Sequence, residues 1–193
     1  MFRALCAALA LIALGAAQVD ARAGAQAGEL RTLEVDGETI AFTLHGFAPG
    51  AHLAAAPDSA DARGKAADSA LDTARMLVRH LAAGDIEEAA LLSNAPRRRF
   101  EVLRDYRSSV GEEEFKRVFQ RYSDPGNGVR AEIAIGRYRL LLWHLKDADH
   151  FAGQYYVEVD GRFLIDDGLS IERARLRRVL EAWRAGKIAP PTH

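Results

Sequence analysis

The stretch over residues 129–166 limits the choice of fold more than any other part of the chain. Four short runs, 129–135, 138–145, 154–159 and 162–166, are rich in β-branched and aromatic residues and are separated by turn formers, the pattern of successive antiparallel strands. Gly136 marks a bulge or bend between the first two. Leu140-Leu141-Leu142-Trp143 is apolar at every position, so both faces of that strand need cover and it belongs in the middle of a sheet. The turn at Asp160-Gly161 admits two registers. A two-residue loop sets Val157 against Leu164 and Tyr155 against Asp166, splitting the apolar set between faces. A three-residue loop that takes in Val159 sets Val157 against Phe163 and Tyr155 against Ile165. One apolar face favours the three-residue loop, with Gly161 left-handed in a bulge.

Ahead of these strands lies a hairpin signal and then helical periodicity. Residues 30–44 alternate around Asp36-Gly37, a favoured type I′ pair, and a two-residue loop puts Leu33 opposite Ile40 with Val35, Phe42 and Leu44 on the same side. Residues 48–64 are rich in Ala, Gly, Pro and Asp without periodicity and read as a mobile connection. A helix is predicted over 65–83, its stripe Ala67, Leu71, Ala74, Leu77, Val78 and Leu81 ending at Gly84. Shorter helical segments follow over 85–92, 97–109 behind Pro96, and 112–122, the last with Phe115, Val118, Phe119 and Tyr122 on one face. Its Glu112–Lys116 and Glu113–Arg117 pairs stand at helical spacing. A final helix over 170–185 takes Ser170 as its cap and Leu176, Val179, Leu180 and Trp183 as its buried side.

The first residues address location. Met1-Phe2-Arg3 supplies a positive start, residues 4–17 are an uncharged apolar run, and Ala21-Arg22-Ala23 offers small residues for cleavage after Ala23 or Ala27. That is the pattern of a secretory signal. Fourteen apolar residues fall short of the roughly 20 that a spanning helix needs, so no stable membrane insertion is expected after cleavage, and the mature chain is read as periplasmic or secreted. Cys6 is the sole cysteine and lies at the start of the apolar run, not at its far end, which argues against a lipoprotein and leaves the mature chain without thiol chemistry or zinc–thiolate sites. Loss of residues 1–23 removes two arginines and one aspartate, moving the formal charge from −1 to −2, too balanced for the positive field that nucleic-acid binding requires. The organisation is thus an export signal (1–23), a leader with the hairpin and mobile connection (24–64), one α+β domain (65–186) and a disordered tail (187–193).

A helix closing on Leu81-Ala82-Ala83-Gly84-Asp85, the segment 86–93, further helix, and long strands ending in Asp160-Gly161-Arg162-Phe163-Leu164-Ile165-Asp166 together resemble the nuclear-transport-factor-2-like superfamily over residues 65–167. The resemblance implies a curved antiparallel sheet packed on N-terminal helices in a cone, in some members with a pocket at its open end. The leading hairpin and the C-terminal helix are additions able to plug or cover that pocket. Similar families include ketosteroid isomerases and polyketide cyclases, which use a pocket Asp or His as base, and also many binding and scaffold proteins without a pocket, so the fold does not name the function.

Candidate site residues follow from chemistry and placement. His144, beside Trp143 in the most apolar strand, is a candidate general base, weighed against an ordinary hydrogen-bonded core histidine. Asp166 and Asp167 end the last strand, and Asp167 is taken as the catalytic carboxylate, weighed against pairing with helix N-terminal amides. Tyr155, Val157, Phe163, Ile165, Trp143 and Tyr106 are expected to line a pocket. His150 with Asp147 and Asp149 matches no ligand spacing, and no metal or cofactor is expected. Phosphate loop, nucleophile elbow and His-Glu-x-x-His motifs are absent from the sequence. The reading favoured is an exported, non-catalytic binding or interaction protein for an unknown small apolar ligand or a protein partner. The alternative is a cofactor-independent isomerase or cyclase with an Asp or His base. In a third, the arginine-rich last helix docks a partner or an envelope surface.

Overall fold

The structure, a computed structural model, describes residues 28–47, 69–124 and 126–191. The expected export signal, the expected connection over 48–64 and the first four residues of the predicted first helix lie outside the described residues. Thirteen described elements comprise six strands, five α-helices and two short 3-10 turns. The strands β1 (Glu29–Val35), β2 (Glu38–Gly46), β3 (Gly128–Ile135), β4 (Tyr138–Leu145), β5 (His150–Val159) and β6 (Arg162–Ile165) form one antiparallel sheet in chain order. Four helices, α1 (Ala70–Ala83), α2 (Ile86–Leu91), α3 (Pro96–Val110) and α4 (Glu112–Gln120), are inserted between β2 and β3, and α5 (Ile171–Arg184) follows β6. The protein is therefore α+β, as the sequence predicts, but the helices interrupt the sheet and do not precede it. The leading hairpin is stitched into the same sheet, because residues Thr43 to Gly46 of β2 pair with Ala134 to Ala131 of β3.

Local chemistry explains the boundaries. Ser69 caps α1 by accepting from the Asp72 amide at 3.1 Å, and Gly84 ends it in the left-handed region at φ 84°, its N–H reaching the Leu81 carbonyl. Pro96 stands at the start of α3, where the missing N–H costs nothing. Along α4 the Glu112–Lys116 pair forms at 2.6 Å, whereas Arg117 pairs with Glu114 and not with Glu113. Ser170 caps α5 by accepting from the Arg173 amide. At its end Gly186 (φ 69°) donates to the Trp183 carbonyl and Lys187 to the Ala182 carbonyl, a Schellman pattern that turns Ile188 back onto the sheet. Ile188 is buried and Arg31 donates to the Ala189 carbonyl, so the segment expected to be a disordered tail is packed at those residues.

The sheet is covered on both faces. On one, Val129, Leu141, Trp143, Tyr156 and Ile165 pack against Ala74, Leu77, Val78 and Leu81 of α1, Leu103 of α3 and Phe115 of α4. On the other, Ile40, Phe42, Leu44, Ala131, Ile133, Leu140 and Leu142 pack against Leu176, Val179, Leu180 and Trp183 of α5. Leu140 to Trp143 have no exposed surface at all, each contributing roughly 1.5–3 kcal/mol of apolar burial, which is why this run occupies a central strand.

The Asp36-Gly37 hairpin has the expected two-residue loop, with Leu33 opposite Ile40 and both loop residues at positive φ. The β5–β6 register corrects the sequence reading. Val157 faces Leu164 and Tyr156 faces Ile165 around a two-residue Asp160-Gly161 loop, again with both residues at positive φ. A three-residue loop would keep the apolar residues on one face, but both faces here have a helix to pack on, so splitting the set costs nothing. Gly136 likewise supplies the positive φ of a two-residue β3–β4 turn, and the bulge lies at Arg130, between the Val129–Trp143 and Ala131–Leu142 pairs.

Candidate functional site

β6 is four residues long and β5 is ten, so β6 stops opposite Tyr156 and leaves the start of β5 without a neighbour on that side. A cavity of about 280 Å³ occupies this notch. Leu77, Val78 and Leu81 of α1, Leu103 of α3, Phe119 of α4 and Ile165 give it apolar walls, and Gly153 to Tyr156 form the strand edge. Its polar groups are Arg99, Gln154, Asp166 and Arg173. Because the cavity wraps around a strand edge, side chains from both faces of the sheet reach it.

The end of β6 is held by the loop after α2. The Ile165 amide donates to the Leu92 carbonyl at 2.8 Å and the Asn94 amide to the Ile165 carbonyl at 3.0 Å. Alternation along the strand then sends neighbouring aspartates to different partners. Asp167 is clamped: its carboxylate accepts from Arg99 Nε and Nη2 at 2.8 and 2.6 Å and from Ser93 Oγ at 2.6 Å. Asp166 is buried, 3% exposed, and its Oδ1 accepts from Asn94 Nδ2 at 2.9 Å and the Gly168 amide at 3.0 Å. Its Oδ2 is solvent-inaccessible and has no hydrogen-bond donor; Arg173 Nη1 lies 3.9 Å away, donating instead to the carbonyls of Asp166 and Gly168. The Arg173 guanidinium also lies over the Tyr155 ring, 4.9 Å from its centroid.

Gln154 organises the inner wall. Its Oε1 accepts from Trp143 Nε1 at 3.0 Å and from Tyr156 Oη at 2.7 Å, satisfying two donors on fully buried residues. Burial holds the Tyr156 hydroxyl far above the usual phenol range, and burial also raises Tyr155 against the opposing pull of Arg173, so both remain protonated donors at neutral pH.

The two expected catalytic residues are not brought together. His144 lies on the α5 face of β4, its ring tilted against Phe151 with centroids 5.0 Å apart and with Nε2 3.5 Å from the exposed carboxylate of Asp149. It borders a separate hollow of about 240 Å³ with Phe47, Arg130, Phe151, Trp183, Pro190 and Pro191, whereas Asp167 is tied to α3 across the sheet. Of the expected pocket residues, Tyr155 and Ile165 line the notch cavity. Trp143 supports it through Gln154. Val157, on the α5 side of β5, and Phe163, whose carbonyl accepts from Thr73 Oγ1, do not line it. Tyr106 is partly exposed at the outer end of an aromatic series through Phe115, Phe119 and Tyr122 to Trp143. His150 opens β5 beside Arg184. Sequence reasoning did not single out Gln154, and it reads Arg99 and Arg173 as basic surface features and not as pocket residues. Alternation past Ile165 was the one available signal that Asp166 and Asp167 must diverge.

Among the described residues no group of three or more His, Cys, Asp or Glu gathers as a metal site, and no helix is long and apolar enough to cross a membrane. No known protein family, curated protein or solved structure matches the chain.

Proposed function

We propose that this is an exported, non-catalytic binding protein that holds a small, largely apolar ligand in the cavity beside β5. The observation that carries this reading is the cavity itself: apolar on three helices, open along a strand edge, and bordered by charged groups mostly engaged by partners outside its lining or by the backbone and so poorly placed to exchange protons. The signal-like residues 1–23 support export. The likeness to the nuclear-transport-factor-2-like cone belongs to the same proposal, supported by a pocket between α1, α3, α4 and the sheet, with α5 and the leading hairpin as additions. Saturation-transfer NMR with toluene tests the reading. Wild-type protein should give transfer, and Val78→Trp, which fills the cavity, should lose it; no transfer to toluene with the wild type refutes the proposal.

One observation favours the second reading, an isomerase or cyclase without cofactor: Asp166 borders the cavity and one oxygen of its carboxylate has no donor, so a small shift of the side chain, which now shields that oxygen from water, would bring it against a bound substrate as a base. Asp166 replaces Asp167 as the base in that reading. It predicts that Asp166→Asn abolishes turnover while leaving toluene bound, and a fully active variant removes it.

A further inference from the structure

We infer that the hollow beside His144 is a second binding site, for small aromatic monocarboxylates, with Arg130 as the partner of the carboxylate. Val129 packs in the α1-side core and Ala131 in the α5-side core, although in a regular strand residues two apart share a face, so Arg130 is the residue that the bulge inserts. It lines the hollow together with Phe151 and Trp183, whose rings meet edge to face at 5.9 Å, and with Phe47, Pro190 and His144. The rings of Phe47, Phe151 and Trp183 with Pro190 make a slot for a flat apolar body, and about 240 Å³ holds a single ring with a short side arm. Arg130 sets the charge. Among the described residues its guanidinium makes one long hydrogen bond, Nη2 to the Gly126 carbonyl at 3.4 Å, and no ion pair. That leaves most of a planar fork of donors free, the geometry that a carboxylate fills with both oxygens. An uncompensated single positive charge also matches a carboxylate better than a phosphate monoester, which brings about two negative charges. The nearby negative groups offer little repulsion. At the end of α5 the Ala182 and Trp183 carbonyls already accept from the Lys187 and Gly186 amides, and the Asp149 carboxylate beside His144 stands almost wholly in water and does not line the hollow. The hollow shares no lining residue with the cavity beside β5, so either can be filled without the other.

Titration calorimetry with phenylacetate, phenylacetamide and phenethylamine compares an acid, its neutral near-isostere and a cation on one carbon frame. The wild type should bind phenylacetate at least about ten-fold more tightly than phenylacetamide, the lower end of what a hydrogen bond to a charged group supplies, and phenethylamine more weakly than either. Arg130→Gln, with circular dichroism confirming its fold, should bring phenylacetate down to the affinity of phenylacetamide. Val78→Trp, which fills the other cavity, should leave phenylacetate binding unchanged. Equal wild-type affinities for acid and amide, no binding of phenylacetate, tightest binding of phenethylamine, or a preference for the acid kept in Arg130→Gln each overturns the inference. Loss of phenylacetate binding in folded Val78→Trp would place the acid beside β5 and overturn it as well, whereas saturation transfer to toluene tests that cavity separately.

Discussion

Replacing Gln154 by Leu removes one acceptor that serves two donors, and the cost can be worked from the geometry. Trp143 Nε1 and Tyr156 Oη both end on Gln154 Oε1, at 3.0 and 2.7 Å, and both residues are fully buried. Leucine is of similar size, so packing changes little, but two buried donors are orphaned at about 1–3 kcal/mol each, a loss of roughly 2–6 kcal/mol. Tyr156→Phe breaks one of the same bonds and should cost only about 0.5–1.5 kcal/mol, since Oε1 still accepts from Trp143. In the Tyr156→Phe background Gln154→Leu leaves a single orphan, so the double variant should be more stable than the summed single costs imply. Urea denaturation followed by circular dichroism gives all four corners of the cycle, and each kcal/mol should appear as roughly 2–4 °C in Tm. If Gln154→Leu is no more damaging than Tyr156→Phe, the donors are finding another partner, such as water entering from the cavity that Gln154 lines, and the argument from buried donors fails.

Gly153→Ala should destabilise by about 1–3 kcal/mol, because a Cβ there would stand 2.6 Å from Leu180 Cδ2 and 3.0 Å from Leu140 Cδ1 in the α5-side core; an unchanged denaturation midpoint would contradict the packing described. Ser170→Ala should cost about 1 kcal/mol through loss of the α5 cap, and Ser170→Asp should recover most of it in the same thermal melt. Glu132 behaves differently: burial raises its carboxyl above the ordinary 4.5, with the charges of Arg139 and His45 pulling back only in part. The native state then holds that proton more tightly than the unfolded chain, so ionised Glu132 costs stability at neutral pH and the cost disappears as pH falls below the ordinary glutamate range. Glu132→Gln should therefore raise Tm at about pH 7 and leave it unchanged at about pH 3.5; an equal shift at both would show that titration is not the cause.

The contrast between the two hairpins shows which parts of the fold were legible. Around Asp36-Gly37 a three-residue loop would have set Glu34 against Glu38, and the buried set Ile40, Phe42 and Leu44 lies on one side only, so a single register satisfies the pattern. β5 is apolar on both sides, and alternation cannot choose a register until both covers are known; the second cover, α5, was visible as an amphipathic helix without any indication of the face on which it would lie. The helices α1 to α4 announced themselves through stripes whose described residues are buried or partly buried, with Tyr106 the main exception. The outline and the polar lining of the cavity were not legible, although Tyr155 and Ile165 are two of the residues expected in a pocket. The cavity arises from the difference in length between β5 and β6, and Arg99, Gln154 and Arg173 come from three separate elements with no shared spacing in the chain. Asp166 and Asp167 differ by one residue, and in an extended segment one residue is a change of face.

α5 has a consequence for how the chain is made. Among the described residues, the surface formed by Ile40, Phe42, Leu44, Ala131, Ile133, Leu140 and Leu142 is covered by residues 176–188, the latest-synthesised part of the packed core. A ribosome-bound chain that has already emitted all six strands therefore still presents a broad greasy plate to its surroundings, and whatever escorts nascent polypeptides meets it in that state. Premature termination anywhere before Leu176 would not trim an appendage but leave a sticky half-product, destined for proteolysis or aggregation rather than for partial activity.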